Sequence, residues 1–585
     1  MTAPHDPFGH LHDEDYAGAY AGRRAGHATL VSIAGRELIS LDGPWRFTPD
    51  LFDEGLRQRW FADDESPPAE WTVPRDYDST RAVQLPVPGC WTMARPEWRF
   101  FEGAGWYARD FHWDGFMPRL VLRVGAANYA ALVFLDGVFI GSHRGGSTPF
   151  CVELTQHVRV GRNRLLIQVD NRRRADRVPM HHFDWPNDGG LYRSVDLLPL
   201  PDCFIRTFSV ALVSGGIAVS VDLSDAVDGI AQVEIARLAT AGLVVTGGHG
   251  ETVIAAVPKL WSPEQPQRYT VTMRFGADRV TDDVGFRTIE VRGTDILLNG
   301  TSIYLRGVCV HEDDAILGKV TNDADIRRRF ADAKELGCNF LRLAHYPHHE
   351  RVAEIADELG MLLWAEIPVY WAIDFDNSET YADAENQLLE MIERDRNRAS
   401  VILWGVGNEN ADTDARYHFM SSLAATARRA DPSRLVGAAC LINRERFAIE
   451  DRLAEHLDVI GLNEYFGWYE PDFAGLRQLL ANSRPDCPVI VSEVGADALY
   501  GHRGGTRELF TEDCQADIYR QQIAIVSGVP WLRGFCAWLL YDFRSERRQT
   551  RFACGFNRKG LITEDKASRK LAFTVLADWY RAMTE

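Results

Sequence analysis

The second half of the sequence alternates between short apolar runs and amphipathic stretches, and this alternation constrains the fold more than any other feature. After Asp295, helical stretches such as DADIRRRFADAKELG and RVAEIADELG separate the apolar runs. The runs are YLRGVCV, FLRLAH, LLWAEI, VILWGVGNE, LVGAACL, VIGLNEY, PVIVSEVG and GFCAWLL. Near-continuous apolar strands with intervening helices are typical of a parallel sheet that is covered on both faces. Eight such strands predict a closed (β/α)8 TIM barrel over residues 293–585.

Polar residues close these runs, although the runs themselves are suited to burial. In a barrel of this kind the active site lies at the C-terminal ends of the strands, so the closing residues point towards one pocket. They are His311, His345, Glu366, Glu409, Tyr465, Glu493 and Trp538. A single acid at such a place can instead cap a helix or pair with an arginine. Two acids, Glu409 after the fourth strand and Glu493 after the seventh, favour a shared catalytic site.

Two carboxyl groups that face one pocket suit the cleavage of a glycosidic bond. A retaining glycosidase needs an ionised carboxylate that attacks the anomeric carbon and a protonated one that donates to the leaving oxygen, about 5–5.5 Å away. We interpret Glu493 as the nucleophile and Glu409 as the acid/base. Asn408, beside Glu409, is placed to hydrogen-bond the sugar 2-hydroxyl as the transition state forms.

The first half of the sequence has the patterning of two all-β domains. Residues 28–200 contain runs such as LVLRVGAANYAALVFLDGVFIGSH between Gly/Asp turns, which predicts an antiparallel, jelly-roll-like sandwich. Residues 201–292 contain GIAVSVDL and RYTVTMRF at a spacing that suits a smaller immunoglobulin-like sandwich. Residues 1–27 are interpreted as a polar N-terminal arm.

Composition excludes several kinds of partner. The net charge of −19 argues against nucleic acid and against an anionic membrane surface, because both require a basic face. No stretch approaches the roughly 20 apolar residues of a membrane span, and the N-terminus lacks the pattern of a secretory signal. We therefore expect a soluble, cytoplasmic protein. The ten cysteines are scattered singly, so we expect free, mostly buried thiols.

The motifs taken together resemble family 2 of the glycoside hydrolases. SLDGPWRF, VPGCW, VFLDGVFIGSHRGGSTPF and DGGLYRSVDL are similar to the sugar-binding-type sandwich of that family. LRGVCVHED, RLAHYP, WGVGNE and VSEVGAD resemble its barrel strands. The resemblance covers nearly the whole chain. It implies a retaining, exo-acting β-glycosidase with a covalent glycosyl-enzyme intermediate, and homo-oligomers are common among relatives.

Three segments are similar to the β-glucuronidase branch of the family. LNEYFGWY implies that Tyr465 steadies the nucleophile and that Tyr469 lines the sugar pocket. FDWPNDGGLYR contains Asp184, which matches an aspartate that reaches the sugar hydroxyls. GFNRKG matches a motif whose asparagine and lysine, here Asn557 and Lys559, bind the uronate carboxylate. Two of the strand-closing residues, His345 and Trp538, complete the predicted substrate pocket.

Departures from the branch pattern keep alternatives open. Glu464 stands where well-known bacterial β-glucuronidases have arginine, and Leu539–Leu540 replace a polar and an aromatic residue. A β-galacturonidase or a β-galactosidase of the same family is the alternative, and a non-catalytic carbohydrate-binding scaffold is a third. The loop IPVYWAIDFDNSETYADA after the third strand is short compared with enzymes of the family that fold a long cover over small aglycones, and an open mouth suits other aglycones such as oligosaccharide ends. We expect a small-molecule glycoside or an oligosaccharide as the substrate.

We expect no cofactor and no metal. The cluster from His311 to Asp314 offers acidic side chains, but the sequence shows no complete cage of oxygen ligands for a divalent ion.

Overall fold

A computed structural model describes residues 23–62 and 82–583. Residues 1–22, which include most of the predicted polar arm, lie outside the described residues. The chain divides into two compact units. The first comprises Met1–Leu30, Glu37–Arg172 and Asp188–Asp202, and the second comprises Val31–Arg36, Arg173–Asn187 and Cys203–Glu585.

The first unit is an antiparallel β-sandwich. A six-stranded sheet has the order β3-β2-β4-β10-β7-β8, a four-stranded sheet has the order β1-β12-β5-β9, and β6 pairs with β11. The short helices are α1 (Trp91–Ala94) and the 3-10 turns His27–Thr29 and Pro96–Trp98. The strands are β1 (Ile39–Ser40), β2 (Gly43–Asp50), β3 (Val83–Val87), β4 (Ala104–Trp113), β5 (Arg119–Val124), β6 (Ala127–Asn128), β7 (Ala130–Leu135), β8 (Val138–Arg144), β9 (Phe150–Glu153), β10 (Gly161–Asp170), β11 (Gly190–Leu191) and β12 (Val195–Leu200). The sandwich expected for this region is confirmed.

The second unit begins with the immunoglobulin-like domain. Its seven antiparallel strands have the order β13-β14-β17-β16-β15-β18-β19. Along GIAQVEI in β15, exposed and buried side chains alternate, as the period-two pattern of a half-buried strand requires. The strands are β13 (Ile205–Val213), β14 (Gly216–Leu223), β15 (Gly229–Ile235), β16 (Ala239–Thr246), β17 (His249–Ile254), β18 (Tyr269–Phe275) and β19 (Asp278–Val284).

The predicted barrel is confirmed, with eight parallel strands that close in chain order. A small sheet of β20 (Ile289–Arg292), β21 (Asp295–Leu298) and β22 (Thr301–Ile303) precedes it. The barrel strands are β23 (Leu305–Val310), β24 (Phe340–Leu343), β25 (Leu362–Glu366), β26 (Val401–Asn408), β27 (Leu435–Cys440), β28 (Val459–Asn463), β29 (Val489–Glu493) and β30 (Leu532–Ala537). Almost every residue in them is buried, which explains the continuous apolar runs.

Helices cover the outside of the barrel and begin at polar caps. The side chains of Asn322, Asn377, Thr413 and Thr511 each accept a hydrogen bond from a backbone N–H of the following first turn. The helices are α2 (Asp323–Glu335), α3 (Glu350–Leu359), α4 (Ser378–Asp395), α5 (Asp414–Ala430), α6 (Ala474–Asn482), α7 (Glu512–Val526) and α8 (Leu571–Ala582), and Arg452–His456 form a 3-10 turn.

A hairpin beyond the last barrel strand carries the predicted uronate motif. Its strands are β31 (Phe543–Arg544) and β32 (Phe556–Asn557). The loop between them, 545–555, is rich in arginine.

Two expectations from composition can be compared with the structure. All ten cysteines lie in the described residues and none forms a disulfide there; seven are buried, Cys203 and Cys487 are half-buried and Cys554 is exposed. No helix in the described part of the chain is long and apolar enough to cross a bilayer.

Candidate active site

The two predicted catalytic acids follow the fourth and seventh strands of the barrel. Glu493 is the last residue of β29, and Glu409 comes directly after β26. Because both strands belong to one closed parallel barrel, their C-terminal ends open at the same mouth. Arg342 donates hydrogen bonds both to Glu493 and to Asn408, the residue before Glu409, so the ends of the two strands lie close together.

Glu493 is held by one cation and one hydroxyl. Arg342 Nη1 donates to Glu493 Oε1 at 2.8 Å, and the Tyr465 hydroxyl donates to Oε2 at 2.7 Å. His345 Nε2 lies 3.7 Å from Oε1. Both strong donors favour the ionised carboxylate and fix its orientation. Tyr465 therefore contacts the acid beside which it was predicted to lie.

Arg342 forms hydrogen bonds with several residues of the site, and it was not predicted from the sequence. Its side chain is fully buried and donates to both carboxylate oxygens of Glu366 at 3.0 Å. It also donates to Asn408 Oδ1 at 2.6 Å. A buried guanidinium requires carboxylate partners, and here Glu366 and Glu493 supply them. The one signal in the sequence was a charged residue inside the apolar run FLRLAH.

Glu409 has neutral partners instead of cationic ones. Trp371 Nε1 donates to Glu409 Oε2 at 2.7 Å, and Asn463 Nδ2 donates to Oε1 at 3.1 Å. The backbone of Glu409 has φ 54°, a left-handed conformation that is uncommon outside glycine and is held by a bond from its N–H to Ala439 O. Neither Trp371 nor Asn463 was predicted as a site residue.

The two acids have different hydrogen-bond partners. Glu493 receives bonds from a guanidinium and a hydroxyl, whereas Glu409 receives them from an indole and an amide. Burial raises the pKa of Glu493 to about 8; Arg342 and the Tyr465 hydroxyl oppose this, while the charge of Glu409 adds to it. Arg342 therefore favours negative charge on Glu493, which is the state that a nucleophile needs.

Asn408 presents an unused donor. Its Oδ1 accepts hydrogen bonds from Arg342 and from Asn463 Nδ2, the latter at 3.1 Å. This fixes the side-chain amide, and its buried Nδ2 has no partner among the described residues. A buried donor without a partner is costly, so a ligand acceptor is the natural partner for it. This is the geometry that the predicted contact with the sugar 2-hydroxyl requires.

His345 and Trp538 form one stacked wall. Their ring centroids are 4.9 Å apart with an interplanar angle of 22°. His345 Nδ1 lies 2.8 Å from Glu366 Oε1. Burial lowers the pKa of His345 well below its usual value, and the nearby charge of Arg342 lowers it further. His345 is therefore a neutral imidazole at physiological pH.

The predicted uronate motif is buried and already contains an ion pair. Lys559 Nζ donates to Asp497 Oδ2 at 2.6 Å and to the Tyr469 hydroxyl at 3.0 Å. Asn557 Oδ1 accepts from the backbone N–H of Lys559 at 3.1 Å. An ammonium has three donors, so one N–H of Lys559 is left for a ligand. Asp497 was not predicted, because in the sequence it is only the end of VSEVGAD.

Asp184 lies in the same region and is bound by two side chains of the arginine-rich loop. Its Oδ1 accepts from the Ser545 hydroxyl at 2.6 Å, and its Oδ2 pairs with Arg548. Asn557 Nδ2 lies 3.5 Å from the same Oδ2. The Nε of Arg548 is buried without a partner in the described structure, so it is a further donor that a ligand can use. Arg548 was missed because the arginine-rich loop has no fixed spacing to the motif.

Glu464, the departure from the branch pattern, points into the protein. Its Oε2 accepts from the Phe466 N–H and from Gln522 Nε2 of helix α7, both at 3.0 Å. Burial raises its pKa to about 8. Glu464 therefore packs between strand and helix, and the substitution does not put a negative side chain beside the uronate motif.

The acidic cluster from His311 to Asp314 is occupied by protein partners. Asp313 is bound by Arg544, and Asp314 accepts from Lys566 Nζ at 2.8 Å. Within residues 23–62 and 82–583, no group of three or more His, Cys, Asp or Glu side chains is arranged to hold a metal ion.

The fold and the paired carboxyl groups are those of a glycoside hydrolase. The model described as "Glycosyl hydrolases family 2, TIM barrel domain" matches residues 289–583. The sugar binding domain model of the same family matches residues 38–201, and a third family 2 model matches residues 208–287. The chain therefore belongs to family 2 of the glycosyl hydrolases.

Relatives with stated activities resemble the chain over nearly its whole length. A β-glucuronidase of Paenibacillus borealis is 28% identical over 606 residues, which cover 93% of this chain and 97% of that protein. The solved structure of a β-glucuronidase from an uncultured Clostridium sp. matches with a TM-score of 0.83 and 26% identity, over 95% of this chain and 99% of that one. A β-galacturonidase of Eisenbergiella tayi matches with a TM-score of 0.79 and 26% identity, over 94% and 98%.

Proposed function

We propose that the chain hydrolyses terminal β-D-glucuronides with retention of configuration. The observation that carries the proposal is the buried Lys559 ammonium with Asn557 and Arg548 in the same barrel unit as Glu409 and Glu493. The relatives named as β-glucuronidases support it, because they resemble the chain across all its domains.

In the first step Glu493 acts as the nucleophile. Its carboxylate attacks the anomeric carbon, a C–O ester bond to the enzyme forms, and the glycosidic C–O bond breaks. Glu409 gives its proton to the departing oxygen, so the aglycone leaves as a neutral alcohol. Arg342 and Tyr465 orient the attacking carboxylate through the two bonds described above.

In the second step Glu409 acts as the base. It removes a proton from a water molecule that attacks the anomeric carbon, the ester bond to Glu493 breaks, and the sugar leaves with its original configuration. The free Nδ2 of Asn408 donates to the oxygen of the 2-hydroxyl and holds this group in place, at a position where contacts contribute to the transition state. Trp371 and Asn463 keep the carboxyl group of Glu409 in place for both proton transfers.

The uronate carboxylate supplies the acceptor that Lys559 and Arg548 lack. Lys559 has one donor left, and Arg548 has an unpartnered Nε. Charge-assisted hydrogen bonds from these groups to a carboxylate are stronger than bonds to a neutral hydroxyl. A neutral sugar would leave at least one of these buried donors poorly satisfied, and this argues against a β-galactosidase.

A β-galacturonidase is the second candidate. The likeness to the Eisenbergiella tayi enzyme supports it, because galacturonic acid carries the same carboxylate and differs in the orientation of one hydroxyl. Asp184 is tied to Ser545 and Arg548, so its fixed position is suited to select between the two orientations.

The test is a parallel assay of 4-nitrophenyl β-D-glucuronide, β-D-galacturonide and β-D-galactoside. We expect the glucuronide to have the highest kcat/KM, and proton NMR of the first product to show the β-anomer. A higher rate on the galacturonide would select the second candidate. Release from none of the three would favour a carbohydrate-binding scaffold.

We also propose a homo-oligomer and a cytoplasmic location. The first rests on the resemblance to family members that form dimers or tetramers, and light scattering of the purified chain tests it. The second is supported by ten cysteines that form no disulfide in the described residues, since disulfides are rare in a reducing compartment. Cell fractionation tests it.

A further inference from the structure

Trp371 contacts both the proposed acid/base and an exposed arginine, Arg547. The indole N–H of Trp371 donates to Glu409 at 2.7 Å. The guanidinium carbon of Arg547 lies 5.1 Å from the centre of the Trp371 ring, within the range of a cation–π contact. A single side chain therefore separates the proton donor from a positive charge.

Trp371 is held firmly enough to position that charge. Its backbone N–H donates to Asn408 O at 2.9 Å, and its carbonyl accepts from Asn410 Nδ2 at 3.0 Å. Its φ is 52°, and it stacks on Tyr370 with ring centroids 4.6 Å apart. A tryptophan in the left-handed region is uncommon and persists where the surroundings fix it, which is typical of functional sites.

Arg547 is available for a ligand. It is exposed, and within the described residues it forms neither an ion pair nor a hydrogen bond. Three neighbouring arginines differ in this respect, because Arg544, Arg548 and Arg558 each pair with an aspartate. The protein carries a net charge of −19, so Arg547 is a local positive charge in a protein that is negative overall.

The position of Arg547 identifies the part of the substrate that it faces. Glu409 delivers its proton to the oxygen that links the sugar to the aglycone, while Glu493 and Lys559 hold the sugar itself. A group that lies beyond Glu409 therefore faces the aglycone. We propose that Arg547, held on Trp371, binds an anionic group of the aglycone, so that the preferred substrate is a β-glucuronosyl unit linked to an acidic sugar. This inference rests on the proposed function.

The expected preference is moderate because Arg547 is exposed. Ion pairs in water are weak, although the aromatic ring orders the guanidinium and excludes part of the solvent. We expect kcat/KM to favour an acidic over a neutral aglycone by about twofold to fivefold at low salt. Added salt should reduce this ratio, since exposed charges are screened.

The test uses disaccharides that differ in one group only. Glucuronosyl-β-(1→4)-glucose is compared with glucuronosyl-β-(1→4)-glucuronic acid and with the 6-O-sulfated form of the glucose disaccharide. The leaving oxygen is the same in all three, so the proton transfer is equally demanding. The variant is Arg547→Gln, and the matched control is Arg551→Gln, because Arg551 is an exposed arginine of the same loop that lies 4.5 Å from the ring centre of Phe552.

We expect the wild type and Arg551→Gln to prefer both acidic disaccharides, and Arg547→Gln to cleave all three at similar rates. Preference for only the carboxylated or only the sulfated disaccharide, if lost in Arg547→Gln, would also support the inference and identify the anion. Equal rates in the wild type, or a preference that survives Arg547→Gln, would overturn it while leaving the proposed function intact. No cleavage of 4-nitrophenyl β-D-glucuronide would overturn the proposed function and this inference together.

Discussion

Replacement of Lys559 tests the substrate class most directly. The lysine is 1% exposed and donates to Asp497 and to the Tyr469 hydroxyl, with one donor left for the uronate. In Lys559→Ala the substrate carboxylate loses its ammonium partner but keeps the Nε of Arg548. We expect kcat/KM on 4-nitrophenyl β-D-glucuronide to fall while the slow hydrolysis of the neutral β-D-glucoside changes little.

The size of the loss follows from burial. Truncating one partner of a desolvated charge pair costs about 2–5 kcal/mol. Because Arg548 remains, we expect the lower part of that range, which corresponds to about a 30-fold to 300-fold decrease in kcat/KM. Steady-state kinetics on the two 4-nitrophenyl glycosides give the ratio.

A folding defect must be separated from this effect. Lys559→Ala leaves Asp497 buried without its ammonium, and breaking a buried pair in this way costs about 3–5 kcal/mol of stability. The control is Lys559→Ala combined with Asp497→Asn, which removes the stranded charge and keeps the oxygen that accepts from the Arg558 N–H. We expect the double variant to regain most of the free energy of unfolding but not the activity on the glucuronide.

The reasoning would be refuted by either of two results. Equal decreases in kcat/KM on the glucuronide and on the glucoside would mean that Lys559 stabilises the fold and does not bind the uronate carboxylate. Full activity of the double variant on the glucuronide would mean that the carboxylate is recognised elsewhere.

Further predictions concern the catalytic pair and the absence of cofactors. Glu493→Ala should abolish turnover, and azide should restore part of it with an α-glycosyl azide as product; more than a few per cent of residual activity without azide would exclude the nucleophile role. Glu409→Ala should slow glycosides with poor leaving groups far more than activated phenyl glycosides, because phenolates leave without protonation; equal losses would contradict the acid/base role. The kcat/KM of the wild type should rise as pH increases towards about 8, since the nucleophile Glu493, whose pKa burial raises to about 8, must be ionised to attack; a flat profile between pH 6 and 8 would contradict a raised pKa at the nucleophile. Reductant and EDTA should leave activity and Tm unchanged, and a loss with EDTA that magnesium restores would reveal a metal requirement.

The periodic parts of the fold could be predicted from the sequence. Each barrel strand is buried on both faces, so its residues are apolar almost without interruption, and this is visible without any distant contact. The position of Glu409 and Glu493 followed from the same pattern, because the C-terminal ends of parallel strands in one barrel must meet.

The partners of the catalytic acids could not be predicted in this way. Arg342 is 151 positions from Glu493, and Trp371 is 38 positions from Glu409. Lys559 is 62 positions from Asp497, in a hairpin with no regular period. Such pairs leave no local pattern, since neither residue type nor spacing along the chain reports which side chains converge.

The sequence by itself therefore determined the barrel, the two sandwiches and the two candidate acids, because the burial of each strand requires a regular pattern of apolar residues that is visible in the sequence. Only the tertiary structure decided the electrostatics of the site. It placed Arg342 on Glu493 and neutral donors on Glu409, and this difference favours negative charge on Glu493. Charge interactions depend on distances of a few ångströms between residues from different strands, and those distances exist only when the barrel has closed.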